Sequence, residues 1–205
     1  MIINWYGEGC FKIQTGGLTL VTDPFESATG LTPPRGKNEI TLKTLTAWPM
    51  KDEDGEGQVI RGAGEYEVQS IGISGFELPA ESTDKFFKTA YQVTAEDMTL
   101  GFLGHLSEGL TPDASEKLKD TDILFIPAGG KPFINPEAAA KLIKQLSPKL
   151  VVASFFKVPG LKRGGADWKA LGEELDQKPE VMEKLTIRKK EVGEKKGTTL
   201  VVLKI

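Results

Sequence analysis

A chain of 205 residues with 39% hydrophobic and 27% charged side chains has material for one packed domain, or at most two small lobes. Its 26 basic against 29 acidic residues leave a net charge of -3, which argues against a nucleic-acid or anionic-membrane surface. One cysteine excludes an intramolecular disulfide and a cysteine cluster for structural zinc, and no apolar run nears the roughly 20 residues of a membrane helix. The first residues read as a strand without the parts of a signal peptide, so a cytoplasmic protein is expected.

Residues 3–13 and 18–22 are β-prone runs separated by Thr15-Gly16-Gly17, a hairpin signal, and the second run ends on Asp23-Pro24-Phe25. Residues 26–39, rich in Ser, Thr, Pro and Gly, read as a loop stiffened by Pro33-Pro34. Residues 39–45 alternate around Ile40 and Leu42, as a strand with one buried face does. The acidic stretch 49–57 lacks the spacing and closing Glu of an EF-hand, and reads as a solvated loop rather than a calcium site. Residues 59–68 and 71–76 are strands joined through glycines. No helix pattern follows Gly62-x-Gly64, so close packing is a better account of those glycines than phosphate binding. Two more strands are expected at 88–94 and 97–103.

The period changes in the second half. Thr111-Pro112-Asp113 starts a helix running to about Leu118, and residues 122–127 form a continuous apolar strand. Asn135-Pro136-Glu137 opens a helix through about Gln145, stopped by Pro148, and 150–156 is a second buried strand. Strand, helix and strand with short links imply a parallel crossover unit. Helices are expected over 166–176 and 179–184, and a closing pair of strands over 185–190 and 198–205. The basic cluster Arg188-Lys189-Lys190 and Lys195-Lys196 is broken by Glu191 and Glu194, which suits a solvated hairpin better than a nucleic-acid patch. Strands first and mixed elements later predict one α/β domain over 1–205, α+β by segregation, built as a four-layer α/β/β/α sandwich.

The opening can be written W-x-G-x-x-C-F-x-I-x-T-G-G-x-x-x-x-x-D-P-F, from Trp5 to Phe25. With G-x-G-E-Y-E-V at 62–68, D-x-D-I-L-F-I-P-x-G-G at 120–130, the helix P-E-x-A-x-x-L-x-x-Q-L-x-P-K at 136–149 and K-x-P-G-L at 157–161, it resembles the metallo-β-lactamase-fold hydrolases. The likeness is greatest to the small branch that includes ascorbate-6-phosphate lactonase. Each piece is weak alone; their order and spacing speak for the fold, whereas function resides in the grafted residues.

The resemblance implies a site in which an H-x-H-x-D-H motif and further imidazoles hold zinc or manganese and acidify a bound water. Laid on this chain without gaps, that motif places its ligands at Leu45, Ala47, Pro49 and Met50. Glu8 stands where the opening His belongs, the His expected near Pro79-Ala80 is absent, the bridging Asp falls on His105, and the last His falls on Phe155. A catalytic zinc takes three protein ligands, and this chain has one histidine and one cysteine. The expectation is therefore no metal and no other cofactor; the alternative is zinc or manganese at a non-standard site of Glu8, Asp23, Glu65 and His105.

Other residues have two readings each. His105 is a solitary general base or a hydrogen-bonded structural histidine. Cys10 is a nucleophile or, lacking an activating partner, an inert buried thiol. Asp23 is a catalytic carboxylate or an acceptor for backbone N–H groups at a strand end. Glu8 is expected to pair with Lys157 or His105. Three functions follow: a metal-free pseudoenzyme binding a small molecule or a protein; a metal-dependent hydrolase of a lactone, phosphoester or related substrate working through Glu8, Asp23 and His105; or a structural subunit of a homo-oligomer.

Overall fold

The computed structural model describes residues 1–50 and 57–205, so most of the acidic stretch expected as a solvated loop lies outside the described residues. Strands β1 (Ile2–Gly7) and β2 (Cys10–Thr15) pair antiparallel. The run anticipated over 3–13 is thus two strands, because Glu8, with φ 51°, turns the chain back on itself. β3 (Leu18–Thr22) follows the Gly16-Gly17 turn, and β4 (Ile40–Lys43) lies parallel to β3. β5 (Leu45–Ala47) then crosses to the opposite sheet, while β6 (Gln58–Arg61) returns parallel to β4.

β7 (Gly64–Val68), β8 (Ile71–Glu77), β9 (Phe86–Ala95) and β10 (Met98–Phe102) form an antiparallel ladder, and β5 joins it alongside β9. Helix α1 (Pro112–Lys117) begins on Thr111, whose Oγ1 accepts the Ala114 N–H at 3.3 Å. β11 (Ile123–Pro127), α2 (Pro136–Leu146) and β12 (Leu150–Ser154) make the anticipated crossover, with every residue of both strands buried. Asn135 caps α2 through the Ala138 N–H at 2.8 Å. The chain finishes with α3 (Lys169–Glu174), β13 (Glu180–Met182), β14 (Lys184–Thr186), α4 (Lys189–Gly193) and β15 (Thr199–Leu203).

The last segment departs from its sequence reading. Residues 179–184 are not helical: β13 pairs parallel with β15, and β14 pairs antiparallel with β1, so ladder partners far away in the chain override local propensity. Nor do β14 and β15 close as a hairpin. They belong to different sheets, and α4 separates them, its Glu191 carboxylate accepting the Arg188 N–H at 2.7 Å.

Among the described residues, one sheet runs β14-β1-β2-β3-β4-β6 and the other β13-β15-β12-β11-β10-β9-β8-β7, with β5 beside β9. The sheets face each other in an α/β/β/α sandwich, and aromatic side chains join them. Phe11 of β2 meets Phe125 of β11 edge-on at 4.6 Å, and Phe125 stacks on Phe102 at 4.5 Å. No helix of the described residues is long and apolar enough to cross a membrane.

Candidate functional site

Parallel strands end together on one side of the sandwich: β3 and β4 from one sheet, β10, β11 and β12 from the other. Their carboxyl ends deliver Asp23, Thr44, His105 and Phe155, and the β1–β2 turn adds Glu8. A cavity of about 440 Å³ lies among them, bordered by Glu8, Asp23, Leu45, His105 and Phe155. Phe25 of the Asp-Pro-Phe corner, Lys43, Phe133 and Arg163 line it as well, and the sequence reading placed none of these four at a site.

Glu8 pairs with neither residue anticipated for it. Arg163 takes its carboxylate in a fork, with Nε donating to Oε1 at 2.9 Å and Nη2 to Oε2 at 2.9 Å. Arg163 also donates from Nη2 to the Phe155 carbonyl at 2.9 Å and lies 5.0 Å over the Phe133 ring. Lys157 is turned away from Glu8, donating to the carbonyls of Leu161 and Arg163. The Glu8 carbonyl accepts from the Trp5 indole at 2.9 Å and from the Phe155 N–H at 3.1 Å, so the turn is held from both sheets. Arg163 is 155 residues from Glu8 in sequence, and no local spacing announces such a pair.

Asp23 accepts the Thr44 N–H on Oδ1 at 2.7 Å and the Thr44 hydroxyl on Oδ2 at 2.5 Å. Thr44 Oγ1 also stands 2.7 Å from Nδ1 of His105. One hydroxyl carries one proton, and a 2.5 Å oxygen–oxygen approach to a carboxylate requires that proton between them. Thr44 therefore accepts from His105, which assigns the Nδ1–H tautomer and leaves Nε2 with its lone pair. Burial lowers the His105 pKa below its ordinary 6.5, against the opposing pull of Asp23, so the ring is neutral at pH 7. Gly104 makes this contact possible: a Cβ there would lie 2.0 Å from Thr44 Oγ1.

Phe155, on which the resemblance places the last imidazole ligand, lies in the wall of the cavity. It is 3% exposed, with its ring centroid 4.7 Å from His105 and 4.3 Å from Phe133. A Cβ on Gly9 would come within 2.4 Å of the Phe155 ring, so the glycine sets the ring's depth. Glu8, Asp23 and Phe155 all have φ between 37° and 52°, a left-handed conformation costing about 1–2 kcal/mol for a side-chain-bearing residue. Three such residues thus border one cavity, whereas Gln69, Glu96, Asp97, Asp120, Ser147 and Asp176 take the same conformation away from it.

The remaining positions disperse. Leu45 borders the cavity, but Ala47 lies exposed in β5 opposite Phe86, and Pro49 and Met50 are exposed outside it. Glu65 is in β7, accepting from Ser74 Oγ at 2.7 Å, and does not border the cavity with Glu8, Asp23 and His105. The four-residue site imagined from the sequence is therefore not assembled. Cys10 is fully buried, and that burial, with the nearby Asp23, pushes its pKa up to about 12. Where a ligand His was expected, the turn Pro79–Glu81 instead supplies a buried carboxylate. Glu81 accepts the N–H groups of Ser107 at 2.7 Å, Glu108 at 2.7 Å and Gly109 at 3.1 Å, and Lys88 Nζ at 3.1 Å.

These donors do not fit a divalent metal. Both Glu8 oxygens face Arg163, both Asp23 oxygens face Thr44, and Nδ1 of His105 is bound to Thr44; Leu45 and Phe155 offer no lone pair. Among the described residues, no three His, Cys, Asp or Glu side chains stand together to hold an ion.

Comparison with known proteins agrees with the fold. A family model for a beta-lactamase superfamily domain matches residues 2–154. A UPF0173 metal-dependent hydrolase of Pyrobaculum arsenaticum is 23% identical over 212 residues, spanning 86% of this chain and 94% of that protein. The solved structure of a candidate Zn-dependent hydrolase of the metallo-beta-lactamase superfamily from Thermotoga maritima matches at a TM-score of 0.81 and 25% identity, over 98% of this chain and 97% of its own. YhfI of Bacillus subtilis, a metallo-beta-lactamase fold protein, matches at a TM-score of 0.60 and 10% identity, over 99% of this chain and 95% of its own, a likeness of fold alone.

Proposed function

The chain belongs to the beta-lactamase superfamily, and we propose that it keeps the fold without the metal, as a pseudoenzyme whose cleft binds a small molecule or a protein partner. One observation carries this reading. Of the positions on which the resemblance places the ligands, Glu8 is locked onto Arg163, His105 is tied through Nδ1 to Thr44, Leu45 and Phe155 are hydrocarbon, and Ala47, Pro49 and Met50 lie outside the cavity. Hydrocarbon side chains cannot coordinate zinc or manganese, and a carboxylate already forked to a guanidinium gives up that pair before it can bind.

The test is elemental analysis of the purified protein by inductively coupled plasma mass spectrometry. Zinc and manganese each below about 0.1 per chain is the expected result, since a catalytic zinc takes three protein ligands and no three ligating side chains stand together among the described residues. One tightly held ion per chain would overturn the proposal.

A second reading has its own supporting observation: Glu8, Asp23 and His105 do share one cavity. It makes the protein a hydrolase with a non-standard site, acting on a lactone, phosphoester or related substrate. Turnover stimulated by zinc or manganese and abolished in His105→Ala supports it; equal rates in the two proteins end it.

A further inference from the structure

We propose that the cavity takes a small, uncharged aromatic molecule that donates one N–H or O–H hydrogen bond to Nε2 of His105. This rests on the metal-free reading above and names the class of guest for that cleft.

The walls select for an aromatic guest. Phe25, Phe133 and Phe155 border the cavity together with Leu45 and Pro132. Phe133 and Phe155 meet at 4.3 Å with 40° between their planes, and His105 stands 60° to Phe155, so a planar guest finds both ring faces and ring edges. A volume of about 440 Å³ is at the small end of ligand cavities, suited to one or two fused rings.

The charges select against an ion. Glu8 is neutralised by Arg163, Asp23 is occupied by Thr44, and Lys43 is not free either. Glu8, Asp23, Lys43 and Arg163 balance in sign at this wall and are already engaged, so an ion of either charge would give up its hydration without meeting a net opposite charge.

The remaining polar function is His105. Its Nδ1–H is committed to Thr44, the ring borders the cavity, and Nε2 has no hydrogen-bond partner among the described residues. A guest that supplies a donor satisfies that nitrogen; one that cannot donate leaves it unpaired beside apolar surface. The Asp23–Thr44–His105 chain holds the tautomer that makes Nε2 an acceptor, so recognition is directional.

Calorimetry with indole, 1-methylindole and benzoate tests this, on wild-type protein whose metal content has been measured. Indole is expected to bind about tenfold tighter than 1-methylindole, the value of one hydrogen bond, with benzoate weaker than both. His105→Phe is expected to bring indole down to the level of 1-methylindole. Equal affinity of wild type for the two indoles, preference for benzoate, or no binding of any probe at millimolar concentration each overturns the proposal. The comparison of the two indoles needs no substitution, so it stands even if His105→Phe fails to fold. Failure of the two readings is distinguishable: one metal ion per chain sinks the functional proposal, whereas a metal-free protein that ignores indole sinks only the class of guest.

Discussion

His105 is the chain's one histidine, so its titration is read directly from its ring proton resonances. Burial should place the midpoint below 6.5, and a midpoint above that value would mean that the Asp23 charge, not desolvation, dominates the ring. The sign for stability follows. With the folded pKa depressed, the unfolded chain binds the proton first, so this residue's contribution falls away as pH drops below 6.5. Thr44 is the hinge of the same network. Thr44→Val keeps the shape but strips the hydroxyl from both Asp23 and His105, and denaturant melting should show a loss of about 1–3 kcal/mol, the cost of leaving buried polar groups unpaired. Arg163→Met leaves the Glu8 carboxylate without its fork, and the double variant Glu8→Gln/Arg163→Met should be less destabilised than the sum of the single losses. An additive cycle would show the pair to be solvent-screened.

At the scale of elements, the turn Pro79–Glu81 fastens the loop after β10. Burial alone would raise the Glu81 carboxyl, but the hydrogen bonds from Glu108, Ser107 and Lys88 outweigh it and hold the group below the ordinary carboxylate value of 4.5. Its stabilisation is complete above pH 4.5 and is lost as the pH falls through the lower folded value. Glu81→Gln should cost about 2 kcal/mol at pH 7 and should flatten the acid side of the stability profile, followed by urea midpoints between pH 3 and pH 7. This clasp also shows what could be read in advance. The hairpin at Gly16-Gly17, the caps Thr111 and Asn135 and the β11–α2–β12 crossover were legible because cap chemistry, turn chemistry and apolar runs are local. β13 and β14 were not, since each is a three-residue strand made by a partner elsewhere in the chain. The cavity was half legible. Glu8, His105 and Phe155 could be placed by motif, but Arg163, Phe133 and the Thr44 bridge arise only when loops from both sheets meet.

For the whole molecule, hydrogen-bonded links tie the two sheets together around the cavity. Glu8–Arg163 joins the β1–β2 turn to the loop after β12, and Asp23–Thr44–His105 joins the ends of β3, β4 and β10. An ion bound by the native state alone would stabilise it by mass action, and its removal would lower the melting temperature. Incubation with a chelator such as EDTA should therefore leave the thermal midpoint unchanged within about 1 °C, given that 1 kcal/mol moves a domain of this size by about 2–4 °C. A fall of several degrees, restored by zinc or manganese, would count against a metal-free scaffold.

Cys10 has a practical consequence. It sits at the start of β2 with no exposed surface, and its proton is held to about pH 12. Because only the thiolate attacks disulfide reagents, labelling in native buffer has to wait for the opening of β1, β2 and β3. With no second sulfhydryl in the chain to blur the signal, the speed of modification reports breathing of that strand group, an internal gauge that needs no engineered probe.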